Sequence, residues 1–441
     1  MPTPITFGAV SARGFGFGSA SAPERYWGGT DLVSSKWAWR GCATDQKGNL
    51  IFIGQAYTSA SGITASIAAD GSINWSRQFQ KSGYGMSLYA VCVDASGNSY
   101  VVGVDNSAAG YFVAKYNASG TLQWQKNYSG GSLGAQPPKS VVSDSSGNVY
   151  VAAANSVLKI DSTGAPQWFV TWTTSTSTTT PPVSVVTSDG TDIYVAVAAV
   201  YFSGCCCCTA NSNGQVLKIS SAGSLTWGKS ATGASDDNNV LALGLSGSFL
   251  VCRSSNTQKF YLFATSTGTA TRYDLSSAIS VAQGGVGQIM GTDRAGSIYT
   301  AGNTLTPALG NAYGLSKITL AAGVPTLAST LGVTYTGYTA AFAVYGIVTT
   351  PTKAVTAGYK GSYGSTEAPF ALALHLDGSG TGTSGSYTVS SLGSLPTFSS
   401  QTSPFSGTIS GFASGTVPTA ASSSLTESAY SHSTYTTTVL P

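Results

Sequence analysis

The feature that most constrains this chain is a turn motif, Asp-x-x-Gly-Asn, repeating about fifty residues apart, each copy leading into a short apolar run. Asp45-x-x-Gly48-Asn49 precedes LIFIG, Asp94-x-x-Gly97-Asn98 precedes SYVVG, and Asp144-x-x-Gly147-Asn148 precedes VYVAA. Looser copies are Asp189-Gly190-Thr191-Asp192 before IYVAV and Asp293-x-x-Gly296-Ser297 before IYTAG. A second signature follows in constant order: SIAADGSINW ending at Trp75, AKYNASGTLQW at Trp124, LKIDSTGAPQW at Trp168 and LKISSAGSLTW at Trp227. The clearest unit, Ser87 to Tyr128, reads strand, tight turn, strand, loop, strand, tight turn, strand, which is one up-and-down sheet. Such a sheet has too little apolar surface to fold alone. Stacking its copies radially buries both faces and protects the edges.

The expected fold is therefore all-β: a single β-propeller of about seven four-stranded blades. Its blades fall at 36–80, 86–129, 138–174, 181–231, 238–275, 283–331 and 337–391. The later units are degenerate, so six or eight blades stay open, with a linear β-solenoid as the runner-up. Residues 1–35 and 392–441 lie outside the repeat as extended N- and C-terminal arms. The C-terminal stretch is rich in Ser, Thr, Gly and Pro, a composition that is ordered only when something ties it down. Both arms are expected to lie on neighbouring subunits, and one to complete a blade.

The run DASGNSYVVG, Asp94 to Gly103, resembles the D-x-x-G-N-x-Y-V-x-G element of the bacterial and phage β-propeller repeat family, related to the NHL and PQQ-like repeats. The resemblance spans 36 to about 390 and implies the fold. It says little about activity, because propellers host unrelated functions.

Composition narrows the function classes. Of 441 residues 42% are hydrophobic, enough for a large core, and only 8% are charged, against about a quarter in ordinary soluble domains. A net charge of +3 with no Lys/Arg cluster argues against phosphate-backbone contacts, so no nucleic acid partner is expected. Met1 to Thr30 has no continuous apolar segment, and no run is long enough for a membrane span, so cytosolic synthesis without membrane insertion is expected. Seven cysteines, an odd number, argue against a disulfide framework; Cys42, Cys92 and Cys252 sit in strand-like runs as small buried hydrophobes.

Candidate chemistry is sparse. The turn aspartates Asp45, Asp94 and Asp144 could each offer a carboxylate to calcium, but that ion needs six to eight oxygens. They are read as bonding their own turns, with Gly or Asn at positive φ. Cys205, Cys206, Cys207 and Cys208 could bind a soft metal, yet contiguous strand residues point to opposite faces and cannot surround one tetrahedral ion. Only His375 and His432 are present, too few for a histidine-based centre. No catalytic residue, cofactor or metal is expected. Trp75, Trp124, Trp168 and Trp227 could stack on sugars, but their fixed repeat position makes them blade packing.

The functional expectation is a virion structural protein of a tailed phage, tail-associated as a fibre, baseplate or nozzle component. Its partners would be other virion proteins and copies of itself through the arms, with host surface glycan as a further contact. The opening TFGAVSARGFGFG is similar to N-terminal segments of phage tail and decoration proteins. A capsid decoration protein and a bacterial surface propeller that binds glycans or peptides are the alternatives, and a propeller enzyme ranks third.

Overall fold

The computed structural model describes residues 24–440 apart from connecting segments, the longest being 174–182, 232–239, 277–289 and 304–312. The described residues form strands and turns, with no helix among them. They build seven antiparallel sheets of four to six strands and one separate hairpin, Val200–Ser203 with Thr209–Ser212. The second sheet is typical: Met86–Val93, Ser99–Asp105, Tyr111–Tyr116 and Leu122–Ser129 pair in chain order.

The sheets close into a ring. Their first strands are Trp37–Thr44, Met86–Val93, Ser140–Ser143, Val183–Ser188, Val240–Ser246, Met290–Thr292 and Phe342–Thr349. Each touches the next, and the last touches the first. The chain is thus a seven-bladed propeller, and closure excludes the open solenoid. Burial follows from this geometry: Ser99–Asp105, sandwiched between blades on both faces, is buried along nearly its whole length, whereas the outer Leu122–Ser129 is mostly half-exposed. Apolar clusters fill the seams between blades. One joins Ile51, Ile53, Trp75 and Phe79 of the first blade to Val101, Phe112 and Tyr116 of the second.

The seventh blade departs from expectation. The stretch 337–391 does not supply four consecutive strands. Phe342–Thr349, Lys353–Lys360 and Ala368–His375 are completed by Glu24–Gly29 from the N-terminal side, with Arg25 opposite Ala373 and Gly28 opposite Phe370. Gly382–Ser384 and Tyr387–Ser391 join the sixth blade instead, outside Val324–Tyr335. An open edge on Ala368–His375 would leave unpaired backbone groups. Borrowing a strand from the other end of the chain satisfies them.

Beyond residue 391 the chain runs backwards round the rim and adds an outer strand to nearly every blade. Phe398–Gln401 pairs with the fifth blade, Gly407 bridges Ser230 of the fourth, and Ser410–Ser414 pairs with the third. Thr419–Ser422 joins the second, Thr426–Ala429 the first, and Tyr435–Leu440 lies against Glu24–Gly29 of the seventh. This belt inserts one or two apolar side chains at successive seams. Leu395 and Phe398 pack between the fifth and sixth blades, Phe405 between the fourth and fifth, Ile409 and Phe412 between the third and fourth, and Leu425 between the first and second. Phe405, 4% exposed, meets Tyr261 and Phe263 edge-on with centroids 4.9 and 5.1 Å away. The described part of the arm pairs its backbone with its own ring. The polar residues between the anchors suit strands that face water on one side.

Arg77 of the first blade holds the belt at Glu427, Nε to Oε1 2.8 Å. Burial nevertheless keeps the Glu427 carboxyl above its ordinary value of 4.5, outweighing the attraction of Arg77. A carboxyl raised in the folded state disfavours folding while ionised, and the cost disappears as pH falls through its folded pKa. Unfolding midpoints of the wild type and Glu427→Gln, measured from pH 7 to pH 4, are therefore expected to converge or cross in favour of the wild type at the acid end.

Candidate functional site

Each turn aspartate is saturated by its own loop. Asp94 Oδ1 accepts from the backbone N–H of Ser96 and Asn98, both at 2.9 Å, and Oδ2 accepts from Asn98 Nδ2 at 2.8 Å. Asp144 repeats this with Ser146 and Asn148, and Asp45 with Asn49. Gly48, Gly97 and Gly147 take the positive φ that closes the loop. The carboxylates face inward to donors, and the described residues contain no group of three or more metal-ligating side chains.

The tyrosine that follows the turn is a partner the sequence reading did not single out. Tyr100 OH stands 3.1 Å from both Asp94 Oδ2 and the carbonyl of Gly147 in the next blade. Tyr150, Tyr194 and Tyr299 donate to Asp144, Asp189 and Asp293, each at 2.9 Å. Burial first, and the aspartate charge second, push the Tyr100 and Tyr150 phenols far up, so they remain donors. The signal was available as the Tyr two places after Asn in DASGNSY and DSSGNVY.

The four tryptophans form a latch between blades. Trp75 Nε1 donates to Ala118 O at 3.4 Å, Trp124 to Ser162 O at 3.1 Å, Trp168 to Ser221 O and Trp227 to Thr265 O at 3.0 Å. Each acceptor lies in a strand-joining turn of the following blade. Lys115, Lys159 and Lys218 reach the same three carbonyls, Ser162, Ser221 and Thr265, at 3.2, 2.8 and 3.3 Å. Their ammonium groups lie over the Tyr100, Tyr150 and Tyr194 rings at 5.2, 5.5 and 5.4 Å. Tyr, Lys and Trp are cross-strand neighbours, Tyr100 opposite Lys115 and Lys115 opposite Trp124.

The Trp ring needs a bare backbone opposite it. A Cβ on Gly120, φ +76°, would lie 2.3 Å from Trp75 Cγ, whereas one on Gly97, φ +83°, would meet nothing closer than Ala118 Cβ at 3.5 Å. Gly97→Ala is expected to cost about 1–2 kcal/mol from conformation alone. Gly120→Ala adds overlap worth roughly 1–3 kcal/mol. Urea denaturation of the two variants side by side measures the difference.

Other polar groups inside the ring are structural. Arg253 is fully buried, donates to Thr300 Oγ1 and, at 3.2 Å, to Ala301 O of the sixth blade, and burial lowers its pKa to about 10. Cys42, Cys92 and Cys252 are buried free thiols whose pKa burial pushes far up. Cys205, Cys206, Cys207, Cys208 and His432 fall outside the described residues, and His375 ends a seventh-blade strand.

No protein-family model and no curated protein sequence matches the chain. Solved structures of similar shape include the Neurospora crassa Pan2 WD40 domain, 11% identical, covering 78% of this chain and 96% of that one at a TM-score of 0.37. A protein of unknown function from Dyadobacter fermentans is 10% identical, covering 80% and 98%, at 0.36. The extracellular domain of a putative hybrid two-component system from B. thetaiotaomicron is 10% identical, covering 78% of this chain and 53% of that one, at 0.35. At these values the propeller assignment stands on the strand pairing and ring closure described above.

Proposed function

We propose that this propeller is a non-catalytic structural component of a tailed-phage particle, seated in the tail as part of a fibre, baseplate or nozzle. The observation that supports this reading is the belt. A ring closed by its N-terminal strand and laced by its C-terminal residues is a rigid body resistant to opening at any one seam, as an element exposed on a particle must be. Its broad faces would serve assembly or host-surface contact, and its turn carboxylates are already occupied.

Quantitative mass spectrometry of purified particles tests the proposal. A copy number that is a small multiple of the tail symmetry is the expected result. A number matching the capsid lattice would make it a decoration protein. Recovery only in the bacterial envelope, with none in particles, would overturn the virion role in favour of a surface-binding propeller.

A further inference from the structure

The C-terminal belt covers only part of the height of the rim. On each of these outer strands it pairs with the later residues: Arg77–Gln80 in the first blade, Lys126–Ser129 in the second, Val170–Thr173 in the third and Arg272–Leu275 in the fifth. The earlier residues, next to the strand-joining turns, have no strand outside them among the described residues. Ile73–Trp75, Leu122–Trp124 and Leu225–Trp227 are such bare edges in the first, second and fourth blades. Edges of this kind accept further strands. Ile73, 38% exposed, is also one of three large apolar side chains that the described residues leave open to solvent.

The N-terminal segment joins the ring beside this edge. Glu24 begins the outer strand of the seventh blade at its turn side: Arg25 lies opposite Ala373, and nearby His375 pairs with Lys353 at the turn after Thr349. One neighbour of that foot is taken, because the chain itself passes from His375 in the seventh blade to Gly382 on the outside of the sixth. The other neighbour is the first blade, with its bare edge at Ile73.

Residues 1–23, outside the described residues, are composed like the belt. Arg13 is their one charged side chain. Phe7 and the Phe15–Phe17 pair, which begins eight residues later, stand among small residues, as Phe398, Phe405 and Phe412 do at intervals of seven. Belt strands on consecutive blades begin seven residues apart, at Thr419 and Thr426. At that pitch residues 1–23 span two blades with residues to spare. A segment added antiparallel to Leu122–Trp124 and then to Ile73–Trp75 travels in the same sense as the belt and arrives at Glu24 from the turn side.

We infer that residues 1–23 form a second belt, beneath the first, on the outer edges of the first two blades of their own ring. The Phe15–Phe17 pair is seated on the first blade beside Ile73, and Phe7 on the second. The inference concerns the chain by itself and stands apart from any place in a particle.

Hydrogen exchange of the full chain, followed by mass spectrometry, tests this. The outward-facing amides of Ile73–Trp75 and Leu122–Trp124 are compared with those of Leu225–Trp227, a bare edge in the same molecule. In the wild type the first two are expected to exchange at least about tenfold more slowly than the third. Phe7→Ser, Phe15→Ser and Phe17→Ser together, in a protein folded by near-ultraviolet circular dichroism, should raise the first two to the rate of the third and leave the third unchanged. The protection should persist on dilution in a protein that light scattering finds monomeric. Wild-type exchange as fast at Ile73–Trp75 as at Leu225–Trp227 overturns the inference, as does protection that the triple variant retains. Protection present only in dimers would assign the edge to the arm of a second copy and overturn it too.

Discussion

Deletion of residues 392–441 is expected to lower the thermal midpoint by at least about 10 °C and to expose apolar surface to a hydrophobic dye. The belt contributes through its anchors. Phe405 and Leu425 are 4% and 5% exposed, and truncating a buried side chain of this size costs roughly 2–5 kcal/mol each. Their removal uncovers the seam clusters around Tyr261 and Phe263 and around Trp75 and Phe79. The outer strands of the first, second, third, fifth and seventh blades would also lose their partner. Phe405→Ala alone should show one anchor's share of the loss. A deletion that unfolds within about 2 °C of the full chain would show that the belt is an ornament and not a fastening.

The second large effect is expected from removing residues 1–29. Without Glu24–Gly29, Ala368–His375 becomes an uncovered edge and Tyr435–Leu440 loses its seat. Exposed edge strands recruit other chains. The truncated protein should therefore elute as dimers or larger species whose proportion rises with concentration, at a midpoint lowered by about 5–10 °C. Light scattering after size exclusion decides the matter, and a stable monomer would mean that another segment closes the ring.

Local features of this fold were legible and distant ones were not. The Asp45, Asp94 and Asp144 turns could be read because residues within four places satisfy one another. Trp75, Trp124, Trp168 and Trp227 could be assigned to packing because they recur in step with those turns. The closing strand ERYWGG resembles no repeat element, and its partner Phe370 lies far along the chain. The belt was hidden by its composition, since a strand added to an outer edge needs few apolar residues. Its sparse anchors, Phe398, Phe405 and Phe412, recur at regular intervals and were the available signal.

The retrograde path of the belt also sets an order of events during synthesis. Glu24–Gly29 is translated before its partner and cannot dock until Ala368–His375 has followed, and Tyr435–Leu440 comes later still. Pairings this remote along the chain are slow to form. Nascent chains therefore pass through a stage with six blades built and the circle unsealed, when a chaperone or a second nascent copy would find its opportunity.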